Sequence, residues 1–411
     1  MTDGARRAAE LAARASYGRL VAYLARRSRD VAAAEDALGD AFVAALATWP
    51  RDGVPDRPEA WLLAAARRRL LDAGRHGAVR ARAQPALQAM VDEAQGPAAG
   101  APEFPDERLA LLFVCAHPAI DESARTPLML QTVLGLDAAR IGAAFLVPPA
   151  TMGQRLVRAK IKIRDAGVRF EVPGRDELGS RLGAVLEAIY AAYGSGWEDV
   201  AGADARPRGL ADEALWLGRL VVRLLPGEPE GLGLLALMLH CEARRAARRD
   251  EAGAYVPLGE QNPVRWSRPM MDEAEGLLLA AARAERPGRF QLEAAVQSAH
   301  ARRAVTGRTD WPAIALLYEG LMRLAPTVGA AVARSAALAE TAGPAQGLAA
   351  LHDLGSDAVG RYQPFWALRA HLLGRLGCRD QAAEAYARAI SLSQDPAVRA
   401  FLTRRRRELG G

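Results

Sequence analysis

Seven residues near the middle of the chain carry side chains suited to holding a polyanion and reading its edges. Thr151, Gln154, Arg155 and Arg158 are followed by Lys160, Lys162 and Arg164. Hydroxyl, amide and guanidinium groups hydrogen-bond to base edges, and the cations neutralise phosphates. The spacing fits one helix whose inward stripe is Met152, Leu156 and Ala159. A shorter helix precedes it, with Ile141, Ala144 and Phe145 as its apolar positions. Leu146-Val147-Pro148 turns the chain between the two, and Pro149 sits in the first turn of the second helix. Gly135–Arg164 therefore has helix-turn-helix layout, with polar residues early in the second helix and cations behind them. The only two lysines among 54 basic residues fall in this segment.

Other reactive side chains support no enzyme reading. Cys115 and His117 are two apart but no second ligand pair follows, so no metal site is expected. His240 and Cys241 are adjacent in an apolar helix and read as core. Tyr386 reads as helix packing. No glycine-rich phosphate loop, nucleophile elbow or two-histidine zinc motif occurs, so neither catalysis nor a cofactor is expected. Three widely spaced cysteines fit a reducing cytoplasm. No apolar stretch approaches the ~18 residues of a membrane span, and no secretory signal is seen, so no membrane association is expected.

The elements that must position the basic groups are helical throughout. Half of the 411 residues are hydrophobic but only 6% are aromatic, so Ala, Leu and Val must build the cores. The pattern predicts helices over 5–27 (Tyr17, Leu20, Val21 and Leu24 inward) and 31–49 (Leu38, Phe42, Leu46 and Trp49 inward). Pro50 to Pro58 reads as a loop. A third helix starts near Pro58, with Asp56 and Glu59 as a capping pair; Trp61, Leu62, Ala65 and Leu70 point inward, and Arg67, Arg68 and Arg69 lie near its end. Asp36 and Asp40, four apart, occupy another face of the second helix.

Charge divides the chain. Residues 1–82 carry net +5, 83–136 net −5, 137–170 net +5, and 171–411 net +1. Two basic blocks with an acidic connection fit a polyanion touched at two places. The expected organisation is a first helical domain at 1–82, a flexible linker at 83–104, a helix-turn-helix domain at 105–172, and a helical extension at 175–411. The linker contains Gly96-Pro97-Ala98-Ala99-Gly100-Ala101-Pro102. The extension shows a period of 34 residues, clearest at 310–403. Gly343 and Gly377, and Leu338 and Leu372, are one period apart, and Tyr318 and Tyr386 two. The middle copy has His352 at the tyrosine position and Gly355 at a small position. That period is the tetratricopeptide length.

At several ordered sites the chain resembles a known family. Gly135–Arg164 is similar to the region 4 helix-turn-helix of extracytoplasmic-function (ECF) RNA polymerase sigma factors of the sigma-70 family. Ala144 through Lys160 and Leu112-Phe-Val-Cys-Ala-His-Pro-Ala resemble the subgroup with a C-terminal tetratricopeptide-like extension. Ala34-Glu-Asp-Ala-Leu-Gly-Asp-Ala-Phe with Trp49-Pro50, and Pro58 through Asp72, resemble region 2. Gly231 through His240 and Trp266 to Arg289 resemble the extension. Arg68 stands where this family usually has Asn, and Pro148 where a Ser-type cap is usual.

The resemblance implies an all-α fold of two small sigma domains and a repeat extension. It implies a protein that binds core RNA polymerase, at the β′ clamp and β flap, and promoter DNA. Asp36 and Asp40 would contact the clamp. Trp61, Arg67, Arg68 and Arg69 would hold the melted −10 strand, as extruding a base needs a pocket and phosphate neutralisation. Thr151, Gln154, Arg155 and Arg158 would read the −35 element, with Lys160, Lys162 and Arg164 on phosphates. The extension would regulate or assist initiation, with the sigma domains of its own chain or the polymerase face beside them as its ligand. The competing class is a stand-alone helix-turn-helix regulator with a helical-repeat sensor, which would need no region 2.

Overall fold

The computed structural model describes residues 2–28, 30–81, 106–145, 147–165, 173–198, 206–355 and 359–410. The expected linker, 83–104, lies outside them. Among the described residues the regular structure is helical, with one isolated β-bridge between Arg249 and Tyr255. The chain forms two compact units, Met1–Ser195 and Gly196–Gly411.

The first unit begins with three helices: α1 (Thr2–Ser28), α2 (Val31–Asp52) and α3 (Pro58–Ala81). Each packs on the other two. Asp30 starts α2 by accepting from the Ala33 N–H at 2.9 Å, which satisfies a donor the helix leaves open. The buried face of α2 is Val31, Ala34, Leu38, Ala41, Ala45 and Trp49. This corrects the expected stripe: Phe42 is only partly buried and Leu46 is about half exposed. Small alanines let α1 and α3 approach, so the buried face rotates toward them and away from the bulkier side chains. Pro50 does not open the loop either. The helix runs through it to Asp52 and ends at Gly53, whose φ is +88° and whose N–H bonds to the Trp49 carbonyl.

The remaining helices of this unit are α4 (Glu107–Cys115), α5 (Glu122–Thr132), α6 (Ala138–Ala144), α7 (Pro149–Asp165) and α8 (Arg175–Glu198). Aspartates cap the first three: Asp106 accepts from Arg108 N, Asp121 from Ser123 N, and Asp137 from Arg140 N. Every residue from Leu109 to Ala116 is buried, so α4 is the core of this half. The extension was expected to begin at 175, yet α8 falls almost wholly in the first unit. Its Arg181, buried, donates to the Phe113 carbonyl at 3.3 Å and pairs with Glu177 at 2.9 Å.

The second unit holds α9 (Arg206–Leu224), α10 (Pro229–Ala243), α11 (Arg268–Ala282), α12 (Arg289–Ala301), α13 (Arg303–Thr306), α14 (Trp311–Leu324), α15 (Val328–Thr341), α16 (Pro344–His352), α17 (Gln363–Arg375), α18 (Arg379–Leu392) and α19 (Pro396–Arg407). α10 is apolar on all sides and buried over nearly its whole length, as a central helix must be. From α12 onward, core clusters follow in sequence. Val296, Ile314 and Ala337 form one; Val332, Leu351, Phe365 and Leu372 the next; Leu373, Ala382, Tyr386 and Leu402 the last. Leu348 and Trp366 touch both of the last two. Neighbour-to-neighbour burial of this kind is the physics of stacked repeats.

Gly343 and Gly377 both have positive φ, +96° and +79°, one period apart. Beyond them the structural register is one residue longer than the 34-residue reading. α16 opens directly after Gly343, and α18 two residues after Gly377. Leu351, fully buried, therefore takes the place of Tyr386, and His352 is exposed.

In this unit His240 is buried and His300 is partly buried. Burial, then the Arg244 charge, pushes each imidazole down to about 4; Arg303 adds to the effect at His300. Glu275 lies 3.5 Å from His240 and would favour the cation, but it is half exposed, so burial prevails. Between about pH 6.5 and 4 the unfolded chain binds protons that the folded chain refuses. Stability is therefore full above about 6.5 and declines as pH falls toward 4. The thermal midpoint of the chain should drop across that window, and the His240→Phe, His300→Phe double variant should show a shallower drop. A packing variant makes an independent check. Ala382 is fully buried where α17 and α18 meet. Ala382→Leu should cost about 1–3 kcal/mol, read as a lower denaturant midpoint.

Candidate nucleic-acid interface

The α6–α7 pair makes the expected turn. The Val147 N–H bonds to the Gly142 carbonyl at 2.8 Å, and Met152 N–H to the Pro148 carbonyl at 3.0 Å. The loop folds back so closely that a Cβ at position 142 would lie 2.6 Å from the Val147 oxygen, so Gly142 is required there. Met152, Leu156, Ala159 and also Ile163 are buried along one side of α7. Ile141 is buried as expected, but Ala144 and Phe145 are exposed. α6 is only two turns long, and its single buried row passes through Ile141 and Gly142.

On α7 the side chains of Thr151, Gln154, Arg155, Arg158 and Lys162 are exposed together. Lys160 departs from this group. It is half-buried, with Nζ 2.9 Å from Oε2 of Glu35 on α2. Arg164 lies in the last turn of α7, and its side chain is outside the described residues.

The other predicted groups lie on the three-helix bundle. Arg67, Arg68 and Arg69 are exposed on α3. Arg67 lies 5.9 Å from the centre of the Tyr23 ring, over which Arg27 sits at 4.2 Å. Both cations gain from the ring's negative face. Trp61 is half-buried and meets the buried Trp49 edge to face, ring centres 5.6 Å apart. Glu59, expected as a capping partner, reaches across to Ser16 and Arg19 of α1. Asp36 and Asp40 are exposed on α2, on one face with Val43, which is two-thirds exposed.

Sequence reasoning passed over Glu35. It is a carboxylate on the apolar stripe between Ala34 and Leu38, and that placement was the available signal. Glu35 is buried, and the Tyr17 hydroxyl donates to its Oε1 at 3.4 Å. Burial, then the Glu35 charge, raises the Tyr17 phenol above its ordinary range; the same two causes raise the Cys115 thiol. Cys115 is thus an inert buried thiol. Among the described residues no group of three or more His, Cys, Asp or Glu is placed to hold a metal, and no helix is long and apolar enough to cross a membrane.

Residues 13–79, which span most of α1, all of α2 and most of α3, match the sigma-70 region 2 family. The N-terminal bundle is a sigma-70 region 2. A sigma-70 region 2 binds core RNA polymerase and promoter DNA, so the exposed cations of α3 belong to a promoter-recognition protein. Residues 181–282 match a family of unknown function, DUF6596. An uncharacterized protein of Rhizobium meliloti is 38% identical over 384 residues, which covers 92% of this chain and 90% of that protein. The two are members of one family along nearly their whole length. Among solved structures, yeast Tom70 aligns with 100% of this chain and 84% of its own, at 13% identity and a TM-score of 0.33, too low to carry over a fold.

The exposed set on α7 makes a prediction that separates base contacts from phosphate contacts. A bidentate arginine–guanine pair is worth about 1–3 kcal/mol of discrimination. Arg155→Ala should relax preference at one promoter position. Lys162→Ala should weaken all promoters alike and flatten the salt dependence. Binding of polymerase holoenzyme to a panel of single-base promoter variants, at two salt concentrations, tells the two effects apart.

Proposed function

We propose that the chain is an ECF-type sigma factor with two promoter-reading helices and a regulatory helical extension. The −10 strand is held by Trp61 and Arg67–Arg69 on α3. The −35 element is read by Thr151, Gln154, Arg155 and Arg158 on α7, with Lys160, Lys162 and Arg164 on phosphates. Asp36 and Asp40 dock on the β′ clamp, and the α4–α7 half meets the β flap. The observation that carries the reading is the exposed polar and cationic face of α7, seated on a helix-turn-helix in the same chain as a sigma-70 region 2. A stand-alone regulator needs no region 2, which is the argument against that alternative.

The extension regulates or assists the sigma module. At net +1 over 171–411 it is a poor polyanion binder, and its stacked helices offer a surface suited to a protein segment. Its closing run Arg404–Arg407 lies in the last turn of α19, where cations are favoured by the helix dipole, and Arg404 and Arg405 pair with Glu408. The ligand in this reading is the sigma module of the same chain or the polymerase face beside it.

A gel shift on promoter DNA tests the central point. A sequence-specific complex should form only when chain and core polymerase are both present; tight specific binding by the chain alone would favour the stand-alone regulator. The Asp36→Arg, Asp40→Arg double variant should keep its fold by circular dichroism and lose core affinity at least tenfold. Truncation after Phe170 should abolish or strongly reduce transcription. A truncated chain as active as the whole one would remove the regulatory role of the extension.

A further inference from the structure

The connection between α10 and α11 runs for 24 residues, 244–267, inside the segment that matches the family of unknown function. Stacked helices are ordinarily joined by about 2–8 residues. Its first part is a tight hairpin. The Asp250 N–H bonds to the Ala254 carbonyl at 3.0 Å and the Val256 N–H to the Arg248 carbonyl at 2.9 Å. Oδ1 of Asp250 accepts from the Ala252 and Ala254 N–H groups, and Gly253 turns the chain at a φ of +79°. The bridge between Arg249 and Tyr255 sets these two residues opposite each other, so their side chains leave the hairpin on one face. Both reach α19. Nη2 of Arg249 pairs with Oδ2 of Asp395, 146 positions further on, and both side chains are largely buried. The Tyr255 ring meets Phe401 edge to face, ring centres 5.4 Å apart. Asp395 is held in place by its other oxygen, which caps α19 through the Ala397 and Val398 N–H groups.

Stacked repeats bury surface between sequence neighbours, so a contact from the end of α10 to the last helix is no part of the stacking. Nor is the hairpin rooted in a core. Between 249 and 265 only Gln261 is buried, and Asp250–Gly253 is exposed. Its fit is also incomplete: Nη1 of Arg249 and Oε1 of Gln261 are buried without a hydrogen-bond partner. The other end of the segment is anchored separately. Arg303 donates to the carbonyls of Leu258 at 3.0 Å, Gln261 at 2.8 Å and Gly259, and its cation lies 5.2 Å from the centre of the Trp266 ring. The hairpin can therefore leave α19 while the rest of the connection stays in place. What it leaves is a fixed carboxylate beside an aromatic edge. We propose that Asp395 and Phe401 of α19 form a docking surface for a tight turn of a partner protein that presents an arginine beside an aromatic ring, and that the hairpin 249–255 occupies it as an internal stand-in. The inference does not depend on the promoter-reading assignments of α3 and α7. A carboxylate held in one orientation selects the planar fork of arginine over lysine, and a ring edge selects a second ring. Because the hairpin is tethered, its effective concentration is high, and a partner must outcompete it.

A peptide with the hairpin's own sequence tests this. Residues 247–257, closed into a ring by a cysteine added at each end and labelled with fluorescein, are titrated with the full-length chain, and binding is read by anisotropy. The unaltered chain should bind weakly, because its surface is taken. The Arg249→Ala, Tyr255→Ala double variant should bind at least tenfold more tightly. Adding Asp395→Asn to that variant should return binding to the weak level, since asparagine keeps the helix cap but not the charge. A peptide carrying Arg249→Ala and Tyr255→Ala should also bind weakly. Hydrogen exchange reports on the hairpin directly. The Asp250 and Val256 amides should exchange at least tenfold faster in the double variant, because a lone hairpin is barely stable in water. Exchange in α10 and α12 should stay unchanged, which shows that the array remains folded. Asp395→Asn alone, with the hairpin sequence intact, should speed the same two amides. Unchanged hairpin exchange in both variants overturns the proposal. So does faster exchange with no gain in peptide binding, which would make the hairpin a structural tie, or equal binding of the alanine-substituted peptide.

Discussion

A carboxylate cut off from water must be answered by a cation, and in the first unit Glu35 is answered by Lys160 from across the interface. Much else in that unit is arranged around this demand. The alanine-rich face of α2 brings α1 and α3 close enough to bury Glu35. Tyr17 supplies the second polar contact, and Gly18, one residue on, permits the close approach of α1 to α5. The buried α4, with Cys115 at its end, fills the remaining space. The apolar stripe of Met152, Leu156, Ala159 and Ile163 sets which surface of α7 faces inward, and Lys160 lies at its edge.

That arrangement divides the surface of α7 into two parts. Thr151, Gln154, Arg155, Arg158 and Lys162 stay in water, and Lys160 turns toward protein. Which cations of α7 stay exposed is thus set by packing as much as by charge. The second unit contrasts with this. It is nearly neutral, stacked from short helices with alanine at the crossing points, and burial lowers the basicity of His240 and His300 within it.

Much of this was legible in the residues. The helix-turn-helix could be read because Met152, Leu156 and Ala159 recur at helical spacing while cations fill the remaining positions, and burial follows that pattern. Asp36 and Asp40 were legible as an exposed face for the same reason. What failed was any judgement that required knowing a neighbour. Leu46 reads as core by its type, yet alanines on the adjacent face allow closer packing and turn it outward. Pro50 reads as a helix end, but it sits where the chain can still complete the last turn to Gly53. Glu35 reads as one more surface acid, because its cation lies 125 positions further along the chain. The repeat was visible by its glycines, while the one-residue difference in register depended on where each following helix starts, and spacing of side chains alone does not mark that.

The central claim is that this chain gives core RNA polymerase the ability to choose start sites. Transcription of fragmented genomic DNA from the source organism by purified core polymerase, with and without the chain, tests it directly when the 5′ ends of the transcripts are mapped. The account predicts a discrete set of start sites that appears only with both components and shares two upstream elements. The same start sites with core polymerase alone, or new ones sharing no upstream sequence, would contradict it.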